Sequence, residues 1–320
     1  MRNIENIEDS IREVARKLLN EKKVELVIGY EKGTLPLRTA PCFIDNPDDV
    51  DKLAWNASCD ANLSKYLIGV DKRIGIIAKG CDARSIIVCI TEKQIDREKV
   101  VIIGIPCAGV VDRKKIEAEV DGEEILEARV TGEKIMVKGK NFEKTLPKKN
   151  FLCDSCLTCR HRNPPICDIM VGNKVPEITS AEGFAEVSYL EAKSADDRWA
   201  YFTKELGNCI RCYACRNVCP LCYCKECFVD KTLPLWFGKT NDLSDTMIYH
   251  IVRVLHVAGR CVDCGACSRV CPMEIDLRAL TKKTEKIVKE RFNYEAGISL
   301  KEVPPLGTFK LEDAQEFVIE

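Results

Sequence analysis

At 320 residues the chain is long enough for roughly two domains, and a 46% hydrophobic content supplies a sizeable core. Its 49 basic and 50 acidic residues cancel to −1, leaving no net field to favour nucleic acid or a membrane surface. Twenty cysteines stand against three histidines, so any metal site must be rich in thiolate. The closest approach to a membrane span, 100–111, is short of roughly 18 apolar residues and carries Gly and Pro. The start, MRNIENIEDS, is polar and acidic, unlike a signal peptide. A soluble cytoplasmic protein is expected, with cysteines that bind metal or do redox work rather than form disulfides.

In chain order, Ile4, Ile7, Ile11, Val14, Ala15, Leu18 and Leu19 fall at helical spacing and predict an amphipathic helix over 4–19. KVELVIGY (23–30) reads as a strand that runs into a turn. RIGIIAK (73–79), GCDARSIIVCITEKQ (80–94) and KVVIIGI (99–105) predict strand, helix and strand, a βαβ unit with parallel strands. Lys79-Gly80-Cys81 and Ile105-Pro106-Cys107 then lie just past strand C-termini, where open parallel sheets bind ligands. ILEARVTGEKIMVKG (125–139) predicts a hairpin turning at 131–133. A cysteine loop (151–172) and a polar, acidic link (173–197) follow. From Asp197 the pattern is helical, with helices expected over 242–258 and 277–292. The expected fold is an α/β N-terminal domain with a partly parallel sheet, 1–195, followed by an all-α C-terminal domain, 196–320.

Two cysteine runs repeat one another. Cys209-x-x-Cys212-x-x-Cys215-x-x-x-Cys219-Pro220 recurs as Cys261-x-x-Cys264-x-x-Cys267-x-x-x-Cys271-Pro272. Three thiolates at three-residue spacing can wrap one corner of a cubane, and the proline-held fourth reaches the other cluster in two-cluster ferredoxins. Zinc sites prefer two separated C-x-x-C pairs, so the duplicated triple points to iron–sulfur. The long helical stretch between the runs resembles the α-helical ferredoxin domain in the iron–sulfur subunits of succinate dehydrogenase and heterodisulfide reductase. That resemblance implies Cys209, Cys212, Cys215 and Cys271 around one cluster, and Cys261, Cys264, Cys267 and Cys219 around the other. Cys222, Cys224 and Cys227 follow at once. They are either unligated buried thiols or ligands of a fourth cluster completed from elsewhere, with Cys167 as a candidate.

Cys153-x-x-Cys156-x-x-Cys159 is a third triple whose fourth thiolate must come from a distance, Cys107 first, with Cys81 and Cys167 behind it. IGIPCAG (103–109), the 153–159 loop and CDIMVG (167–172) resemble the beta subunit of coenzyme F420-reducing hydrogenase and its relatives in formate and F420H2 dehydrogenases. KGCDARSI (79–86) also looks like a K-P-C-D segment of sulfhydrogenase beta subunits. The resemblance implies one [4Fe–4S] cluster beside an FAD. This chain departs from the pattern in having Ala108 where Gln is common, and in placing its ferredoxin repeat after the core. No GxGxxG follows a predicted strand, so FAD rests on the resemblance alone. If present, its diphosphate would suit the strand-to-helix turn at Lys79, Gly80, Asp82 and Arg84; a solvated surface pair is the bland reading of Lys79 and Arg84. No role is assigned to His161, His250 or His256, and no catalytic residue is named.

Three [4Fe–4S] clusters, four if the 222–227 cysteines take part, together with FAD describe a junction between hydride and single-electron chemistry. The expected protein is an oxidoreductase subunit. It would pass electrons from F420 or NAD(P)H to a catalytic formate dehydrogenase, hydrogenase or heterodisulfide reductase subunit. The alternative is a flavin-free relay and docking subunit.

Overall fold

The computed structural model describes residues 4–178, 181–309 and 311. Helix α1 (Ile4–Asn20) presents Ile11, Ala15, Leu18 and Leu19 to the core; the side chain of Ile4 lies outside the described residues. Strands β1 (Leu26–Lys32) and β2 (Thr39–Ile44) pair antiparallel. Then β3 (Ile74–Ala78), α2 (Gly80–Thr91) and β4 (Val100–Gly104) form the expected βαβ unit. Its strands are parallel, running from Ile74 opposite Val100 to Ala78 opposite Gly104. Every residue of β3 is buried, as a continuous apolar run between covered faces requires.

Beyond α3 (Arg113–Glu119), β5 (Glu127–Thr131) and β6 (Lys134–Lys138) make the expected hairpin, with Gly132 at φ +58° in its turn. A third strand, β7 (Glu143–Pro147), extends it. The EKTLP of β7 is polar apart from Leu146, whose burial against Ile135 and Val137 gives the strand its place. A short α4 (Asp154–Leu157) lies in the cysteine loop, and β8 (Ile169–Met170) joins β4 in parallel. The main sheet therefore runs β2-β1-β3-β4-β8, mixed but mostly parallel.

The regular structure described beyond β8 is helical: α5 (Ala185–Glu191), α6 (Ala195–Gly207), α7 (Ala214–Val218), α8 (Leu243–His256), α9 (Ala266–Val270) and α10 (Arg278–Phe292). The 173–197 stretch, expected as a link, contains α5. It buries only Val187, and its acidic residues hold α10 through Glu186 to Arg278 and Glu191 to Lys283 and Lys286.

The hydrophobic core does not stop at residue 195. Leu221, Val257, Val262, Val288, Tyr294 and Ala296 join the cluster formed by the sheet and α2. Helix α2 is accordingly buried nearly all round, the pattern of a helix covered on both sides. A separate core gathers Leu206, Tyr249, Ile275 and Leu277 with Cys215 and Cys271. Among the described residues no helix is long and apolar enough to cross a membrane.

Candidate metal centres

The two C-terminal cysteine runs follow one backbone path. In the first, Arg211 (φ 50°) and Tyr213 (φ 59°) are left-handed; in the second, the matching Asp263 (φ 53°) and Gly265 (φ 70°) are. A left-handed residue between successive cysteines curls the chain so that thiols at three-residue spacing face one centre. It also aims N–H groups back at sulfur: Arg211 N–H donates to Cys209 Sγ at 3.3 Å, and Asp263 and Ala266 N–H to Cys261 and Cys264. Each non-glycine residue in this conformation costs about 1–3 kcal/mol unless the surroundings enforce it. Side chains do so here. Arg211 Nη1 donates to the carbonyls of Gly238 (2.9 Å) and Thr240 (2.7 Å). Asp263 accepts from Arg278 Nε and Lys282 Nζ, both at 2.8 Å.

Around these loops the thiols line two cavities. Cys209, Cys212, Cys215 and Cys271 wall one, and Cys219, Cys261, Cys264 and Cys267 wall the other. Each run gives three thiols to one cavity and its proline-adjacent fourth to its neighbour. Burial pushes Cys267 up to about 11 and Cys261 well above its ordinary value, so a bare thiolate is disfavoured there. A metal that displaces the thiol proton supplies the missing positive charge. Four thiols per cavity with backbone N–H groups on sulfur fit the donor set of a cubane. Among the described residues no three His, Cys, Asp or Glu side chains converge as a single-ion site.

A third cavity forms where β3 and β4 end. It is lined by Cys81, Cys107, Cys156 and Cys159. The parallel register brings Cys81 and Cys107 together at one edge of the sheet, and the 153–159 loop closes over them. Gly109 N–H donates to Cys107 Sγ and Val110 N–H to Cys156 Sγ, both at 3.4 Å. Gly80 lies so close beneath the loop that a Cβ there would sit 2.0 Å from the His161 carbonyl oxygen. Cys153 stands next to Cys156 and lowers its pKa by hydrogen bonding, but it lines a different and larger cavity. The structure thus gathers both Cys107 and Cys81, with Cys153 displaced outward. Cys264 and Arg269 also line this cavity, and Arg269 bonds the carbonyls of Cys264 (2.8 Å) and Asp60 (2.6 Å). The three cavities are neighbours in series, with Cys264 on the wall of two.

The remaining candidates part company. Cys222 shares a hydrogen bond with Cys219 that lowers it to about 7, Cys224 is exposed, and Cys227 packs in the C-terminal core beside Arg216. Cys167 packs on Gly104, with Asp168 and Lys174 as its charged neighbours. Nothing gathers these four around one centre in the way of the other sets.

Lys79 and Arg84 are not a surface pair. Lys79 Nζ is buried and donates to the Tyr30 hydroxyl, the Ala61 carbonyl (3.0 Å) and Asp82 Oδ2 (2.9 Å). Arg84 donates to the carbonyls of Ala296 (2.8 Å) and Val262 (3.1 Å). Desolvated cations need internal partners, and these two use them to tie the sheet edge to the C-terminal segment, not to present charge to a diphosphate. Open space lies elsewhere. A cavity of about 640 Å³ beside Cys153 is rimmed by Arg38, Lys114, Lys115, Arg269 and Arg278.

Sequence reasoning missed two groups on α8. His250 Nε2 lies 3.3 Å from Cys209 Sγ, and burial, then Arg253 and Arg211, push it down to about 4, so it is neutral. Arg253 is buried between the two C-terminal cavities. The available signal was a cation three residues after a histidine on an otherwise apolar helix face.

A mixed sheet whose parallel edge, together with a helical segment, closes around three thiol-lined cavities is the architecture of a thiolate-rich metal-binding protein. Residues 71–201 match the model for the C terminus of the beta subunit in the coenzyme F420 hydrogenase/dehydrogenase family, and over that span the chain is a member of the family. It is 25% identical to the F420-dependent formate dehydrogenase subunit beta of Methanocaldococcus jannaschii, across 90% of this chain and 91% of that protein. Identity is also 25% to the F420-dependent formate dehydrogenase 1 subunit beta of Methanococcus maripaludis, across 91% and 90%. A chain of the xenon-derivatised F420-reducing [NiFe] hydrogenase complex from Methanosarcina barkeri aligns at 15% identity and a TM-score of 0.37, covering 48% of this chain and 59% of that one.

Proposed function

We propose that this oxidoreductase subunit passes electrons between a hydride carrier and a catalytic partner, within an assembly of several subunits. The observation that carries the reading is the series of three thiol-lined cavities, each sharing residues or an exchanged cysteine with the next. Residues 196–320 would hold two [4Fe–4S] clusters on the exchanged sets Cys209/Cys212/Cys215/Cys271 and Cys261/Cys264/Cys267/Cys219. Residues 1–195 would hold the third on Cys107, Cys156 and Cys159, with Cys81 or Cys153 as the fourth ligand. Such clusters supply one-electron transfer, and a flavin supplies the exchange of hydride for single electrons. The relatives' names support F420 over NAD(P)H as the carrier and a formate dehydrogenase catalytic subunit as the partner, ahead of a hydrogenase or heterodisulfide reductase subunit. A cytoplasmic assembly belongs to the same reading.

For FAD, the basic-rimmed cavity beside Cys153 is the favoured place. Its volume lies in the usual range for ligand sites, about 300–1,000 Å³, and Cys153 abuts the cluster thiol Cys156. The internal commitment of Lys79 and Arg84 favours the second reading, a flavin-free relay, to the extent that the flavin depends on their turn. Chemical analysis of the anaerobically purified chain separates these readings. About twelve iron and twelve sulfide per chain, with one FAD, is the expected inventory. Full iron without flavin selects the relay, and zinc without sulfide overturns both.

A further inference from the structure

Arg253, on α8, is 4% exposed. Its Nη2 donates to the Cys215 carbonyl at 3.0 Å, but the N–H groups at Nε and Nη1 are buried with no hydrogen-bond partner. The guanidinium lines the cavity of Cys219, Cys261, Cys264 and Cys267. Among the described residues no carboxylate pairs with it; the charges that act on it most are the thiols Cys267, Cys219, Cys222 and Cys215. A buried cation without hydrogen bonds or counter-charge costs several kcal/mol. The other buried cations near the cysteines have carbonyl or carboxylate partners: Arg84, Arg211, Arg269, Arg278 and Lys282. Arg253 alone among these six keeps unpartnered N–H groups in a cavity walled by thiols.

We infer that Arg253 is a positioning residue that donates N–H···S hydrogen bonds to the cluster held by Cys219, Cys261, Cys264 and Cys267 and raises its reduction potential above that of an unassisted site. This rests on the cluster reading given above. A four-thiolate cluster is anionic and gains negative charge on reduction, so a fixed cation with N–H groups on sulfur favours the reduced form. Because Nη2 is tied to the Cys215 carbonyl, the same guanidinium stands between the two C-terminal clusters and screens one from the other. It makes the cluster nearer the sheet the easier of the pair to reduce, which sets the order in which electrons occupy the series.

The test is an EPR-monitored redox titration of the full chain, purified anaerobically, as wild type, Arg253→Met and Arg253→Lys, each with its iron and sulfide content measured. With iron and sulfide retained, Arg253→Met is expected to lower one midpoint only. At the wild-type midpoint its reduced-to-oxidised ratio should fall about tenfold, equivalent to 59 mV for one electron. Arg253→Lys should recover part of the shift, since the charge stays and the planar fork is lost. Midpoints unchanged in both variants at full iron content would overturn the inference and leave the cluster reading standing. A wild type without sulfide would overturn the cluster reading first. Should Arg253→Met lose its clusters, the wild type labelled with ¹⁵N at arginine decides. Pulsed EPR is expected to show arginine nitrogen coupled to a reduced cluster and lost in Arg253→Lys, and absence of that coupling in wild type overturns the inference.

Discussion

The C-terminal pair of thiol cavities and the single cavity at the sheet edge use the same number of thiols but assemble them differently. Each C-terminal cavity takes three cysteines from seven consecutive residues, and left-handed backbone at matching positions orients them. Only the fourth thiol is remote, and its proline-adjacent position recurs in both runs. The sheet-edge cavity takes Cys81 and Cys107 from two loops and Cys156 and Cys159 from a third, brought together by the parallel pairing of β3 with β4. A contiguous motif carries its own geometry. A site distributed over loops inherits its geometry from the sheet, and so depends on the packing of Gly80 beneath His161 and on the anchoring of Lys79 and Arg84.

The comparison can be broken most decisively at the exchanged ligands. Serine at both Cys219 and Cys271 removes one thiolate from each C-terminal cavity at once, and Cys271 belongs to the core beneath them. Iron should fall by about eight per chain, leaving about four at the sheet edge. Retention of all iron would mean that the runs do not exchange ligands. A smaller loss sharpens the other side. Cys81→Ser and Cys107→Ser should each remove or convert about four iron and leave the EPR spectrum of the C-terminal clusters unchanged. Cys153→Ser should keep its iron, because Cys153 lines the larger cavity. Loss of iron in Cys153→Ser with retention in Cys81→Ser would reverse the assignment.

Legibility followed the same division. The βαβ unit, the hairpin and the two C-terminal ligand sets could be read because hydrophobic period, turn residues and cysteine spacing are local signals. Strand β7 was missed because its sequence is polar and only Leu146 reaches the core. Helix α5 was missed because charge pairing with α10, not an apolar face, holds it. Cys81 was visible as a residue just past a strand, but its preference over Cys153 depends on which way two loops turn, and no spacing encodes that. Lys79 and Arg84 misled for a related reason. A cation at a helix start suggests an anion, yet here Tyr30, Ala61, Val262 and Ala296, far away in sequence, use up the donors. His250 and Arg253 show the converse, polar groups on an apolar helix face whose purpose emerges only beside the thiols.

The smallest expected effect concerns the clamp between the two regions. Glu295, in the C-terminal segment, accepts from Arg160 at 2.9 Å and meets His161 at 2.5 Å, just beyond the third cysteine of the 153–159 triple. Burial alone would raise its pKa, but the bond to His161 and the charges of Arg84, His161 and Arg160 outweigh burial and hold it down to about 2. A depressed carboxylate contributes stability that is complete above its ordinary value near 4.5 and is lost as pH falls toward 2. Glu295→Gln should therefore lower stability at neutral pH by about 1–2 kcal/mol, after discounting for the solvent that reaches the pair. The gap should persist down to about pH 4.5 and close below it, because acid neutralises the wild-type carboxylate and so removes what the amide already lacks. Thermal unfolding of both proteins by circular dichroism from pH 7 to pH 3 follows this. A gap that widens in acid would show that the clamp draws its strength from some group other than the Glu295 carboxylate, and would leave the tie between the sheet-edge site and the C-terminal segment to Arg84 alone.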